Sequence, residues 1–365
     1  MKIVILGAGA TFGSSVANKT NKPPLLKDLP NIISSSHITQ NKNSFGQDFV
    51  KSFQKIVELT GTSDDFETYL TVLYILGMIS IKINPKSLFM NEQEIDVILK
   101  NSMLENIFKN TQYENIARII LRFFVENREV AFYHYPRNFQ TFFQNNLREY
   151  IYHSLDNCYC IYHEKLFSTL NQNDAVVNFN YDEIGDFTLF SMNKLSNESF
   201  RDLPFDKIEF SKEISLNCEP IKYLKPHGSF SWSMDIDKPF VYYNLISEAC
   251  GKQSIGSTSF PLIMPTIGKG LIYLQYPIYA KHIIEFSKIL EKSDEILIVG
   301  KTFRNSDKEL NRIITTQRKN VKCKLVIIDP SVNDNSFIDF HEKLFNGTCN
   351  QRYLSLEDYY NSKLY

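Results

Sequence analysis

Short runs of apolar residues that lead into Gly, Asn or Asp indicate where β-strands lie along the chain. The clearest are residues 2–6, 175–178, 295–299 and 324–328, with residues 260–264 as a fifth candidate and residues 223–225 as a weaker sixth. Uninterrupted apolar runs of this length are typical of a parallel sheet that is covered on both faces.

A predicted helix lies between two of these strands. Between residues 278 and 292, apolar side chains recur at positions 279, 283, 286, 289 and 290, as they do on one face of an α-helix. A strand, a helix and a further strand in this order form a βαβ unit. The pattern therefore predicts an α/β fold with a doubly wound parallel sheet of about six strands.

The stretch from residue 47 to residue 170 has a different pattern. Its apolar residues recur with helical spacing, and aromatic residues are dense, as in Phe132-Tyr133-His134-Tyr135. It contains no convincing alternation of apolar and polar residues, which a half-buried strand would show. We predict a helical subdomain at residues 47–170, inserted into an α/β domain that residues 1–46 and 171–365 form together.

The composition argues against several classes of protein. Basic and acidic residues nearly balance, 40 against 41, which disfavours nonspecific nucleic-acid binding as the main activity. The longest apolar run, residues 69–81, is too short to span a bilayer, and the chain does not begin with a secretory signal pattern. None of the six cysteines forms a C-x-x-C pair, so we expect no metal, and we expect a cytoplasmic protein with free thiols.

A glycine-rich loop follows the first strand directly, with the sequence Gly7-Ala8-Gly9-Ala10-Thr11-Phe12-Gly13. Glycines in such a turn let the backbone approach a pyrophosphate, although a tight turn without a ligand has a similar composition. A dehydrogenase fits poorly, because the third glycine comes one position late and no second strand ending in an acidic residue follows. Gly300-Lys301-Thr302 resembles the end of a P-loop, but Glu295 occupies the place of its first glycine, which excludes that motif.

Two polar turns are predicted at the carboxyl ends of strands, where α/β sheets bind their ligands. The first is Asn178-Phe179-Asn180-Tyr181-Asp182, whose amides and carboxylate suit a ribose, a carboxamide or a water. An Asx-turn or a helix cap is the alternative for this segment. The second is Lys225-Pro226-His227-Gly228-Ser229, whose histidine can take up a proton near neutral pH, although a histidine in a turn is more often structural.

Taken in chain order, these segments resemble the sirtuin (SIR2) superfamily, and more closely its bacterial SIR2-like branch. Residues 7–11 are similar to the G-A-G-x-S loop of the family, and residues 178–182 stand where sirtuins carry T-Q-N-I-D. Residues 225–229 with Trp232 are similar to the K-x-H-G-S…W segment, and residues 299–303 with Asp307 to the late G-Y-S…D turn. Residues 328–331 match the strand end that receives the adenosine ribose.

The resemblance implies an NAD⁺ site with two catalytic residues, Asn180 and His227, in which His227 is the base. It implies that Asp182 and Asn180 face the nicotinamide ribose and carboxamide. The residues implied to hold the phosphates are Gly7, Ala8, Gly9, Ala10, Thr11 and Phe12, and those implied to line the adenosine end are Gly300, Thr302 and Asp329.

The chain also departs from the family pattern. Thr11 replaces the serine of the loop, and Lys301-Thr302-Phe303 departs from the usual G-Y-S. The four-cysteine zinc module of deacetylating sirtuins is missing from the sequence, which puts an acetyl-lysine groove in doubt. Water is then the expected acceptor.

The predicted activity is therefore NAD⁺ hydrolysis to nicotinamide and ADP-ribose, with a cyclic product left open. The resemblance further implies NAD⁺ depletion in bacterial anti-phage (abortive infection) defence, controlled by a homo-oligomer or by an activating partner such as a defence ATPase. Three alternatives remain: a non-catalytic sensor of NAD⁺ or ADP-ribose, a zinc-independent deacylase, and a structural subunit of a larger assembly. Residues 47–170 suit oligomer contacts or a lid, and they suit plain core packing equally well.

Overall fold

The computed structural model of the chain divides into two compact units. The first consists of residues 1–23, 148–264 and 269–365, and the second of residues 24–147 and 265–268. The structure describes residues 1–17, 19, 23, 58–59, 93, 96–97, 114–115, 118–119, 122, 151, 154–157, 159–210, 213–235, 241–245, 259–263, 277–301, 303 and 308–362. The predicted helical subdomain lies mostly outside these residues, so it stays a prediction together with its boundaries.

The described part of the first unit contains ten strands and seven α-helices. The strands are β1 (Lys2–Leu6), β2 (Ala175–Asn178), β3 (Lys207–Phe210), β4 (Lys222–Leu224), β5 (Gly228–Asp235), β6 (Val241–Leu245), β7 (Ser259–Ile263), β8 (Glu295–Val299), β9 (Cys323–Ile328) and β10 (Gly347–Tyr353). The helices are α1 (Ala8–Phe12), α2 (Ile161–Ser168), α3 (Ile184–Ser191), α4 (Pro277–Lys292), α5 (Lys308–Arg318), α6 (Asn335–Phe345) and α7 (Leu356–Ser362).

Six of the strands form one parallel sheet in the spatial order β10-β9-β8-β1-β2-β4. Nearly every side chain of β1, β2 and β8 is buried, as expected for strands covered on both faces. The order extends from β1 in both directions along the chain, which makes the sheet doubly wound. The predicted α/β fold with a parallel sheet of about six strands is therefore confirmed.

Helices cover the two faces of this sheet. α5 packs against α4 and α6, whereas α2 packs against α3 and α7. Right-handed crossovers explain this separation, because β8-α5-β9-α6-β10 and β2-α3-β4 run toward opposite edges of the sheet. Among the described residues, no helix has the length and apolar character that a membrane crossing requires.

A second sheet of four strands, in the order β3-β6-β5-β7, was not predicted from the sequence. β3 pairs with β6 in parallel, and β5 pairs with β6 and β7 in antiparallel fashion. The described part of the fifth candidate strand, residues 260–263, lies here in β7 and not in the parallel sheet. β5 begins at Gly228, directly after the second predicted turn, so this sheet fixes the position of that turn.

Arg318 ties the C-terminal ends of three helices together. It lies fully buried in the last turn of α5. Its Nη1 donates to Leu290 O at 2.6 Å and Ser293 O at 2.8 Å, near the end of α4, and its Nε donates to Phe345 O of α6 at 3.2 Å. Because helix C-termini carry partial negative charge, their convergence offsets the buried positive charge of the guanidinium.

Candidate functional site

The strand order changes direction at β1, with β8 on one side of it and β2 on the other. Doubly wound sheets bind their ligands in the crevice at this point, outside the carboxyl ends of the strands. Backbone hydrogen bonds join the segments that leave these strands: Phe179 N donates to Leu6 O, and Gly7 N donates to Val299 O, both at 2.9 Å. The polar segments predicted at the strand ends therefore do share one edge of the sheet.

The glycine loop after β1 packs directly on the turn after β8. Gly9 N donates to Gly300 O at 3.0 Å. A Cβ on Gly7 would lie 2.6 Å from Gly300 O and from Lys301 Cα, and one on Gly9 would lie 2.7 Å from Gly300 Cα. Gly300 itself has a φ of +55°, and its Cβ would lie 2.4 Å from the backbone of Gly9. The missing side chains thus make room for a contact between two loops, a role not predicted from the sequence.

Several amides of the glycine loop are engaged within the protein. Gly7 N donates to Val299 O, Gly9 N to Gly300 O, and Ala10 N to Gly7 O at 2.8 Å. The helix that follows, α1, has five residues. Its macrodipole is correspondingly limited, since that effect sums over aligned peptide units. The loop is a packed and hydrogen-bonded corner of the site.

Asn180 is bonded to the glycine loop through its side-chain amide. Nδ2 donates to Gly7 O at 2.8 Å and to Thr11 Oγ1 at 2.9 Å, and the Thr11 hydroxyl donates to Asp182 Oδ2 at 2.6 Å. Because a carbonyl oxygen only accepts, the contact with Gly7 fixes which end of the amide is the nitrogen. Both hydrogens of Nδ2 are used, which leaves Oδ1 as the atom that can meet a ligand.

Asp182 is buried, and both of its carboxylate oxygens are engaged within the protein. Oδ2 accepts from Thr11, and Oδ1 accepts from Ile184 N at 3.1 Å, at the start of α3. Burial raises the pKa of this carboxyl, while the nearby positive charge of Lys225 opposes the increase. In this arrangement Asp182 orients Thr11 and the first turn of α3.

Asn178, the other asparagine of the first turn, faces the interior and not the glycine loop. Its Oδ1 accepts from Asn180 N at 2.9 Å, which is the geometry of an Asx-turn. Its Nδ2 donates to the hydroxyl of Tyr223 at 2.9 Å. The alternative interpretation of this segment as a structural turn therefore applies to Asn178.

His227 lies in the turn between β4 and β5 and is 4% exposed. Gly228 has a φ of +83° and donates to Lys225 O at 3.0 Å, which closes the turn. The His227 ring contacts the ring of Phe179 edge to face, with 4.8 Å between the centroids. Phe179 directly precedes Asn180, so the two predicted catalytic residues lie on adjoining segments that Phe179 links.

A buried ion pair holds these two segments together, and it was not predicted from the sequence. Lys225 Nζ lies 2.9 Å from Asp186 Oδ2, and both side chains are fully buried. Lys225 Nζ also donates to Asp182 O at 2.6 Å, which ties the second turn to the first. The hydroxyls of Tyr223 and Tyr243 donate to the Asp186 carboxylate at 2.7 and 2.9 Å, so the buried charge is well solvated by protein groups.

Burial and the Asp186 charge raise the pKa of both tyrosines well above the usual value. Tyr223 and Tyr243 therefore remain neutral hydrogen-bond donors across the physiological range. The sequence offered a weak signal for this network: Lys225 stands between Leu224 and Pro226 at the end of a buried strand, where an unpaired lysine would be costly.

The predicted adenosine end contains Gly300 and Asp329, whereas Thr302 lies outside the described residues. Asp329 is 8% exposed and follows β9. Its Oδ1 accepts from Ser331 N at 2.9 Å, which caps the short 3-10 helix Pro330–Asn333, and its own amide donates to Tyr353 O at 3.0 Å. Asp329 thus has a structural role in this turn, at the edge where the resemblance expects a ribose contact.

Lys301 was also assigned no role from the sequence. Its ammonium lies over two buried aromatic rings, 5.0 Å from the centroid of Phe179 and 5.3 Å from that of Phe303. These distances are typical of cation–π contacts. The one feature of the sequence that pointed to Lys301 was the departure of this segment from the family pattern.

No group of three or more His, Cys, Asp or Glu residues within the described part of the chain is arranged to hold a metal ion. The sequence matches no model of a known protein family, and no curated protein is similar to it at a significant level.

Proposed function

We propose that this protein binds NAD⁺ at the carboxyl edge of its parallel sheet and hydrolyses the bond between nicotinamide and ribose. The observation that supports this most is the hydrogen-bonded chain from Gly7 through Asn180 and Thr11 to Asp182. It joins the loop proposed to meet the phosphates to the residue proposed to act on the ribose. A single dinucleotide lying across the crevice would contact both.

The proposed reaction needs few groups from the protein. The bond between C1′ and the nicotinamide nitrogen breaks, its electron pair leaves with nicotinamide, and the ribose becomes an oxocarbenium-like cation. The oxygen of a water then bonds to C1′, and His227 takes the proton that this water loses. Asn180 Oδ1 accepts a hydrogen bond from a ribose hydroxyl or from the water, and so orients it.

Release of nicotinamide by purified protein, followed by chromatography, tests this proposal. General acid–base catalysis by a positioned side chain contributes on the order of 10²–10⁴-fold. We therefore expect His227→Ala to lower kcat by about that factor and Asn180→Ala to abolish most turnover. Asn173→Ala is the matched control, because Asn173 is exposed in the turn before β2. The chromatogram also separates ADP-ribose from its cyclic form.

Other outcomes decide between the remaining hypotheses. Tight NAD⁺ binding without turnover, in the protein alone and with candidate partners, would favour a sensor. Turnover only with an acylated peptide would favour a deacylase. Failure to bind NAD⁺ or ADP-ribose at all would refute the proposal.

The proposal extends to control of the activity. An unrestrained NADase would exhaust the NAD⁺ of its own cell, so the enzyme of an abortive-infection system requires restraint until infection. We propose that self-association or a partner such as a defence ATPase supplies it. This point is tested by measuring the mass of the protein in solution, with and without candidate partners, at concentrations that do and do not give NADase activity.

A further inference from the structure

Recognition of a dinucleotide requires a response to the two negative charges of its pyrophosphate. Backbone amides and a helix dipole often supply it. In this protein the amides of Gly7, Gly9 and Ala10 already donate to protein carbonyls. The helix that follows has five residues, which limits its dipole. A charged side chain beside the loop would therefore add a further source of attraction.

Two lysines described at this edge of the sheet differ in their surroundings. Lys225 is fully buried, and it bonds to Asp186 and to Asp182 O. Its charge is committed to the interior. Lys301 is half-buried, and its ammonium lies over the rings of Phe179 and Phe303, beside the glycine loop.

The position of Lys301 joins the loop to the reaction centre. Its Cα lies 2.6 Å from the place that a Cβ on Gly7 would occupy, so its backbone touches the glycine loop. Its Nζ lies 5.0 Å from the centroid of Phe179, which is itself 4.8 Å from the centroid of the His227 ring. The ammonium and the imidazole are thus at most about 10 Å apart.

We propose that Lys301 is the cation that recognises the pyrophosphate and thereby restricts the site to phosphate-bridged ligands such as NAD⁺ and ADP-ribose. This inference rests on the proposed function. The charges of NAD⁺ make the lysine an orienting group as well as a binding group. Its ammonium attracts the anionic bridge and repels the cationic nicotinamide ring, so it favours the orientation that directs nicotinamide away from Lys301.

Binding of ADP-ribose, measured by calorimetry, tests this inference without requiring catalysis. Lys301→Met keeps an apolar stem over the two rings and removes the charge. Lys301→Arg keeps the charge and stacks well on aromatic rings. Lys292→Met is the control, because Lys292 is exposed at the end of α4. We expect Lys301→Met to weaken ADP-ribose binding by about tenfold to a hundredfold, in line with loss of one charged hydrogen bond.

The arginine variant and the dependence on salt separate recognition from a merely structural role. We expect Lys301→Arg to bind within about threefold of the wild type, and Lys301→Met to lose part of the salt dependence of binding. Equal loss in the arginine and methionine variants, or unchanged affinity in the methionine variant, would overturn the role of Lys301 while leaving NAD⁺ binding intact. A wild type that binds no ADP-ribose would overturn the proposed function itself.

Discussion

The hydroxyl of Thr11 connects two other polar side chains of the candidate site, Asp182 and Asn180. It donates to Asp182 Oδ2 at 2.6 Å and accepts from Asn180 Nδ2 at 2.9 Å. All three side chains are buried, at 5%, 4% and 7% exposure. Thr11→Val fills the same volume but makes neither hydrogen bond, so it isolates the effect of the hydroxyl.

The cost follows from the two bonds that are lost. A hydrogen bond to a carboxylate contributes about 1.5–3 kcal/mol, and one between neutral groups about 1 kcal/mol. Valine also leaves a carboxylate oxygen and one amide hydrogen unpaired in a buried place. We expect Thr11→Val to lower the free energy of unfolding by about 2–4 kcal/mol. Thr11→Ser keeps both bonds and loses one methyl group, so it should cost about 1 kcal/mol.

Urea unfolding of the two variants beside the wild type measures these costs. Thr315→Val is the control, because the exposed Thr315 hydroxyl bonds only within its own helix turn, and we expect a change within about 0.5 kcal/mol. Nicotinamide release should fall in Thr11→Val and persist in Thr11→Ser, since the Asn180 amide loses its fixed orientation only in the first. A valine variant as stable as the serine variant would refute the reasoning.

Three further predictions concern the scaffold. Arg318→Met should lower the free energy of unfolding in urea by at least about 3 kcal/mol, because it removes charged hydrogen bonds to the ends of two other helices. The control Lys319→Met, at the exposed residue that follows Arg318, should cost under about 0.5 kcal/mol. Gly300→Ala should lower the melting temperature and reduce the free energy of unfolding by more than about 1 kcal/mol, because it forces a Cβ to 2.4 Å from Gly9 at a φ of +55°. An unchanged melting temperature would show that the two loops can separate freely. His282 has a pKa lowered by burial, and further by Lys225, to about 3. Because its pKa in the unfolded chain is about 6.5, the folded protein should lose stability as the pH falls below 6.5, by ~1.4 kcal/mol per pH unit from this group. The free energy of unfolding, measured in urea at several pH values, should depend less steeply on pH in His282→Gln than in the wild type. Parallel dependences on pH would contradict the prediction.

The strands of the parallel sheet could be predicted because their apolar runs are continuous. β1, β2 and β8 begin and end where the sequence indicated, and β9 begins one residue earlier. β10 was missed for a physical reason: its sequence, Gly-Thr-Cys-Asn-Gln-Arg-Tyr, is polar because it is an edge strand and largely exposed. Its place in the sheet comes from backbone pairing with β9, which leaves no apolar run in the sequence.

The second sheet could not be predicted from the sequence, for a different reason. An apolar run indicates a strand but does not specify its partner, so residues 260–264 suited either sheet. The partner of β7 is β5, and β5 begins inside a segment whose Pro-His-Gly sequence indicates a turn. When a strand starts at the glycine of a turn, its first residues look in the sequence like a continuation of that turn.

The chemistry of the site depends on atoms that a sequence motif does not specify. The family resemblance implies that Asn180 is a catalytic residue, yet the folded chain commits both hydrogens of its amide nitrogen to Gly7 O and Thr11 Oγ1. Oδ1 is then the atom of this side chain that can meet a ligand, and an amide oxygen only accepts hydrogen bonds. A ribose hydroxyl or a water can donate to it, but an oxyanion cannot. Asn180 is therefore suited to orient a hydroxyl group during glycosidic cleavage, a reaction in which the charge that develops on the ribose is positive.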